Sequence, residues 1–158
     1  MSITVRRAVP GDEGHILRLI RHLATYERQP DAVEATEASL RETLFAQGAQ
    51  VFAHIAVLEG AIVGIALWFL NYSTWTGRPG IYLEDLVVDE TVRGSGAGRA
   101  LFEELGREAR RLGAKRIDWA VLDWNESAMA FYRAIGGRPQ SGWQPWRIDG
   151  PVLEALGA

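Results

Sequence analysis

Cysteine is absent from this 158-residue chain, which excludes disulfides, a thiolate nucleophile and cysteine-ligated metal sites. Histidine is scarce, with three residues, His15, His22 and His54. His15 and His22 lie two helical turns apart, no metal-ligand spacing is present, and no serine, histidine and acid grouping stands out. No metal is expected. Long hydrophobic runs are also missing. The longest, Ala61 to Leu70, is too short to span a bilayer, and the segment Met1 to Arg7 has no apolar core of a secretory leader. An excess of positive charge is lacking: the formal net charge is −3, which argues against nonspecific nucleic-acid binding and permits a cationic substrate. A cytoplasmic protein with no membrane or nucleic-acid partner is the expectation.

What is present suits one globular domain, residues 1–158, with 47% apolar and 23% charged residues. Ile3–Val9 reads as a strand. Pro10-Gly11-Asp12 opens a helix to about Tyr26, with Ile16, Leu19, Ile20 and Leu23 at helical spacing. Thr36 can cap a second helix that Gly48 ends. Val51–Leu58 and Ala61–Asn71 are strands joined at Glu59-Gly60, and Ile81–Val88 is the next strand. A helix over Ala97–Leu112 packs through Leu101, Leu105, Ala109 and Leu112. Its Glu103, Glu104, Arg107, Glu108 and Arg111 read as a solvated face. A strand over Arg116–Leu122, a helix over Glu126–Ile135 and a last strand over Ser141–Ile148, bent at Pro145, complete the pattern. The class is α+β, a central sheet flanked by helices.

Between Val88 and the helix from Ala97 stands Arg93-Gly94-Ser95-Gly96-Ala97-Gly98. Alternate glycines permit positive φ and close approach. Free amides at a helix start, with Arg93 and Arg99 nearby, make an anion cradle suited to a pyrophosphate. The ATP-type loop needs a Lys-Ser/Thr pair after its last glycine, but Arg99-Ala100 follow here. The dinucleotide pattern fails too, because Arg99 stands at its third glycine. By itself the turn is equally a strand-to-helix junction with no ligand.

Val88–Gly98 resembles the acetyl-CoA pyrophosphate loop of GCN5-related N-acetyltransferases, the GNAT family, in the form Arg-Gly-x-Gly-x-Gly. Asn125-Glu126-Ser127-Ala128 through Phe131-Tyr132 to Gly136 resembles that family's Asn-x-x-Ala-x-x-Phe-Tyr-x-x-x-Gly segment. Leu83-Glu84-Asp85, Trp124-Asn125-Glu126 and Leu23-Ala24-Thr25-Tyr26-Glu27 are similar to the diamine (spermidine/spermine) acetyltransferase branch. The likeness covers nearly the whole chain. It implies a GNAT fold with a mixed, mostly antiparallel sheet, acetyl-CoA as co-substrate, a small-molecule amine acceptor and a homodimer.

Acetylating an amine needs a proton removed from an ammonium of pKa near ~10 and one supplied to the departing thiolate. Glu84 is the candidate base route, with Tyr82 and Leu86 on its strand face, and partial burial would tune it for proton uptake. A salt bridge to Arg78 is the alternative. Asp85 is expected on the opposite face, serving substrate charge or structure. Tyr132 is the candidate acid, by resemblance beside the CoA sulfur, or else a core residue with Phe131. Asn125 reads as a helix cap and, by resemblance, a pantetheine contact. Leu86, Val87 and Val88 offer backbone groups along pantetheine, and Arg93, Gly94, Ser95, Gly96, Ala97, Gly98 and Arg99 hold the pyrophosphate. Tyr26, Glu27, Trp75, Glu84 and Asp85 are expected to line the acceptor site. Trp68 and Trp119 are expected in strands of the core, and Trp143 and Trp146 at a subunit contact. Arg28-Gln29-Pro30-Asp31 is less acidic than the corresponding family loop, so Arg28 would oppose one charge of a polyamine. Acetylation of a protein amine, or CoA binding without catalysis, are the rival readings.

Overall fold

A computed structural model describes residues 2–158, so Met1 of the expected domain lies outside the described residues. The chain divides into two compact units, one ending at Leu122 and one covering Asp123–Ala158. Among the described residues no helix is long and apolar enough to cross a membrane.

The first unit is a five-stranded sheet in the order β1-β2-β3-β4-β5. Its strands are β1 Ile3–Arg7, β2 Val51–Leu58, β3 Ala61–Ser73, β4 Arg78–Val88 and β5 Ile117–Asp118. The first four are antiparallel, and β5 runs parallel to β4. Glu59 and Gly60 both take positive φ, 50° and 83°, the geometry that matches a two-residue hairpin to the twist of its strands.

Helices α1 Glu13–Tyr26 and α2 Glu37–Phe45 precede β2, and α3 Ala97–Leu112 follows β4. Thr36 caps α2 in a reciprocal box with Ser39. Two apolar clusters lie on the two faces of the sheet. One holds Ile16, Leu19, Leu40, Leu44, Ile55, Ile65 and Val87, beneath α1 and α2. The other holds Trp68, Ile81, Leu83, Leu101 and Leu105, beneath α3.

The second unit contains α4 Glu126–Ala134 and α5 Gly150–Leu156. Two expectations fail here and at its border. The strand expected over Arg116–Leu122 is reduced to two residues, because its partner β4 is broken by a bulge two residues beyond Tyr82. Trp119 therefore lies outside the strand, partly buried, edge-on to Phe102 at 5.1 Å between centroids. Ser141–Ile148 forms no strand. Pro145 removes a ladder donor, and the segment gives way to α5, which Pro151 opens at its first turn. Elsewhere β1 stops at Arg7 and α2 at Phe45, short of the expected ends.

Candidate active site

The ladder between β3 and β4 slips by one residue. Leu67 pairs with Asp85 and Trp68 with Leu83, leaving Glu84 as an extra residue. The phase of β4 reverses there. Leu83 joins the cluster under α3 and Val87 the cluster under α1, although residues four apart in a regular strand share a face. This corrects the expected strand face. Leu86 packs on the α3 side, while Tyr82, between Ile81 and Leu83, turns the other way and packs on Phe69 at 5.2 Å.

The bulge also changes the environment expected for Glu84. Glu84 is exposed, not partly buried, and among the described residues it makes no ion pair with Arg78 or any other cation. Asp85 is half-buried, on the face of Val87. Desolvation, then the charges of Glu84 and Glu27, push its carboxyl up to about 6. The two acids are thus not segregated by strand alternation. Glu27, just past the end of α1, is also half-buried, and burial raises its pKa. Burial raises the Tyr82 phenol as well, helped by Glu84 and Asp118. Three carboxylates therefore gather at the end of α1 and the bulge of β4. Arg28 closes α1 in the left-handed region, at φ 63°, with its amide donating to Thr25 O at 3.1 Å.

After β4, Asp89 accepts from the Thr91 amide at 3.0 Å and opens a 3-10 turn over Glu90–Val92. Gly94 and Gly96 follow with φ of 82° and 89°. A Cβ built on either meets nothing within 4 Å, so the space beside both glycines is open. Ala100 donates to Gly96 O, and Ala97 reaches Ser95 Oγ at 3.4 Å. Gly98 and Arg99 lie in the first turn of a 16-residue helix, where amides lack intrahelical acceptors. These features fit a diphosphate. Because β5 pairs only with Ile81 and Tyr82, it does not reach the outer edge of Leu86–Val88. The Arg93 guanidinium lies over the Tyr26 ring, 5.5 Å from its centroid, and 3.5 Å from Glu90 Oε1.

In the second unit Asn125 caps α4, its Oδ1 accepting from the Ala128 amide at 3.2 Å. Tyr132 is half-buried in α4, its ring tilted against Phe131 at 5.7 Å. Trp143 and Trp146 are exposed, as is Trp75, which follows β3 in the first unit and is 86% exposed.

One polar group escaped sequence reasoning. Glu108, read as solvated, is 8% exposed, and His54 is 1% exposed. The Trp68 indole donates to His54 Nδ1 at 3.0 Å, and His54 Nε2 faces Glu108 Oε1 at 3.6 Å. Arg7 pairs with Glu108 at 3.2 Å, and Arg111 pairs with its other oxygen. The signal was available, since Glu108 stands three and seven residues after Leu105 and Leu101, on the buried stripe of α3. His54, Glu104 and Glu108 could offer three ligand atoms within 4.8 Å of one another. The Trp68 donation, however, puts the imidazole proton on Nε2, and two arginines already neutralise Glu108. The group is satisfied by the protein itself.

The sequence pattern of the acetyltransferase (GNAT) family matches residues 16–136. The chain is 38% identical over 168 residues to a thialysine N-epsilon-acetyltransferase of Sus scrofa, covering 98% of this chain and 97% of that one. It is 27% identical to an L-ornithine N5-acetyltransferase of Arabidopsis thaliana, covering 99% of this chain and 88% of that one. Among solved structures, an integron cassette protein from Vibrio cholerae superposes with a TM-score of 0.78 at 27% identity, covering 99% and 98% of the two chains.

Proposed function

From the premise that this chain belongs to the GNAT family and is an N-acetyltransferase, we propose that it acetylates a primary amine of a small molecule carrying a second cationic group. A diamine, a polyamine or a lysine-like amino acid fits, with acetyl-CoA as donor and direct transfer in a ternary complex. The observation that carries this reading is the group Glu27, Glu84 and Asp85 at the bulge of β4, carboxylates without a paired cation among the described residues. Keeping Glu27 and Asp85 ionised costs stability, and a cationic acceptor would offset that cost. Relatives whose names specify thialysine and ornithine acceptors agree in kind.

On this reading both units serve one GNAT domain, which the match over residues 16–136 supports. Bound acetyl-CoA supplies the thioester. The open turn at Gly94–Gly98 and the first-turn amides of α3 hold its diphosphate, Arg99 adds charge, and the outer edge of Leu86–Val88 aligns the pantetheine arm with Asn125. An amide at Val87 or Val88 polarises the thioester carbonyl. Glu27 and Asp85 hold the acceptor's cationic groups, with Tyr26 and Trp75 as walls. Glu84, exposed on the bulge, removes the ammonium proton directly or through water. Tyr132 gives a proton to the departing thiolate, a role its hydroxyl suits because phenol and alkylthiol have similar proton affinities. The protein acts in the cytoplasm as a homodimer, with Trp143 and Trp146 at the contact.

The test is an acceptor panel with acetyl-CoA: putrescine, spermidine, spermine, lysine, its thioether analogue thialysine and a lysine peptide. A short diamine or lysine-like amine is expected to beat spermine, because Arg28 thins the acidic loop. A preference for the peptide would favour protein acetylation, and CoA binding without any product would favour a non-catalytic module. Within the panel, Tyr132→Phe is expected to lower turnover roughly 10–1000-fold with CoA affinity unchanged. Near-normal turnover with chemistry rate-limiting returns Tyr132 to a packing role.

A further inference from the structure

Arg93 divides its allegiance. Its backbone begins the glycine turn that suits a diphosphate, yet its side chain turns toward the end of α1. The guanidinium lies 5.5 Å from the centroid of the Tyr26 ring and 3.5 Å from Glu90 Oε1. Glu90 also faces His22 Nε2, one turn earlier on α1, at 3.7 Å. A guanidinium within about 6 Å of a ring centroid is held by the ring's negative face. Here a carboxylate at Glu90 fixes it from the side, so the two contacts orient one planar group. Tyr26 is the last residue of α1, and Glu27 follows it, the acid whose charge reaches Asp85. The chain Glu90–Arg93–Tyr26 thus ties the cofactor turn to the segment that presents the acceptor-binding acids.

The geometry points to Arg93 as a positioning residue for the acceptor amine: its side chain holds Tyr26, and with it the Glu27 end of α1, while the diphosphate is left to the backbone amides of the turn. This role rests on the proposed function. It assigns to Arg93 the opposite job from that of a phosphate-clamping arginine, and the two differ in which substrate they affect.

Arg93→Met keeps the stem and removes the charge without altering the glycines. The KM for the acceptor is expected to rise roughly 2- to 5-fold, the scale of a lost exposed cation–π contact. The KM for acetyl-CoA, and the rise in melting temperature given by CoA, should stay within about twofold of wild type. Arg93→Lys should recover part of the loss. Tyr26→Leu should raise the acceptor KM similarly, and adding Arg93→Met to it should change little more, because both remove one contact. A higher KM for acetyl-CoA with an unchanged acceptor KM would overturn the assignment in favour of a phosphate ligand. Fully additive single effects would overturn the link through Tyr26. Wild-type protein that binds CoA and acetylates no amine would overturn the proposed function itself, an outcome distinct from either.

Discussion

The two faces of one sheet carry two acidic groups with opposite treatment. Under α3, Glu108 is buried but met by Arg7, Arg111 and the imidazole of His54, which Trp68 orients. On the α1 face, Asp85 is half-buried beside Glu84 and Glu27, with no cation paired to it among the described residues, and its carboxyl is pushed up to about 6. Both positions place a carboxylate where solvation is poor. In the first the protein supplies the counter-charge, so the group has become architecture. In the second it is withheld, and the sheet bears a standing electrostatic cost. Such costs are retained where a ligand is meant to supply what is missing.

Breaking the satisfied group should have the largest effect. Glu108→Ala leaves His54 and the inner ends of two arginines without their acid. We expect a loss of about 3 kcal/mol in urea unfolding, the low end for a broken buried pair because the arginines reach solvent. Turnover per folded molecule should not change. An unaltered unfolding midpoint would remove the distinction between the two faces.

On the other face the effect should be kinetic. Glu84→Gln is expected to lower turnover on the order of 100-fold near neutral pH, equivalent to about 2.7 kcal/mol of barrier. Stability should be unaffected, because Glu84 is exposed. Raising the pH supplies free amine and should restore part of the rate. A loss of stability with an unchanged pH–rate profile would return Glu84 to a structural role.

Asp85→Asn should separate the groups by sign. The folded-state carboxyl of Asp85 sits above its ordinary 3.8, at about 6, so the folded protein binds this proton more tightly than the unfolded chain. The penalty is therefore absent below about pH 4 and complete above about pH 6. Removing the charge should raise stability at pH 7 by about 1 kcal/mol, after allowance for solvent screening, while activity falls. Melting temperatures from pH 4 to 7 check this, and a difference from wild type that does not vary with pH counts against it.

The smallest effect sharpens the contrast further. Burial, reinforced by Arg7, lowers the pKa of His54 below 6.5. The unfolded chain then takes up that proton first, so stability should decline as pH falls below about 6.5. This slope is opposite to those of Asp85 and Glu27, whose carboxyls burial raises, and should stand clear in a variant carrying both Asp85→Asn and Glu27→Gln between pH 7 and 5. A rising melting temperature on acidification of that variant would show that His54 is not held neutral.

Much of this arrangement was legible in the chain. The stripe Ile16, Leu19, Ile20 and Leu23, the Glu59-Gly60 turn and the helix Ala97–Leu112 all follow local rules, and the structure keeps them. Asn125 was readable as a cap because its side chain needs only an amide three residues on. The bulge was not. Leu83-Glu84-Asp85-Leu86 looks like regular alternation, and only the partner strand reveals that Leu67 faces Asp85. Every reading of which acid shares a face with which apolar residue inherited that error. Glu108 failed differently: its charge outweighed its place on the apolar stripe. Ser141–Ile148, expected as one last strand bent at Pro145, makes no ladder because a strand needs a paired neighbour that the local sequence does not reveal.

The one-residue slip in β4 also bears on how this segment can change over generations. Point replacements at Glu84 alter chemistry and leave the fold alone. Deleting that position would restore strict alternation and leave Leu83 and Leu86 beneath α3 with Asp85 and Val87 still on the α1 side. Residues 83–87 can therefore lose the Glu84 position without exchanging the two faces of the sheet, and what such a shortening removes is the carboxylate that the bulge presents.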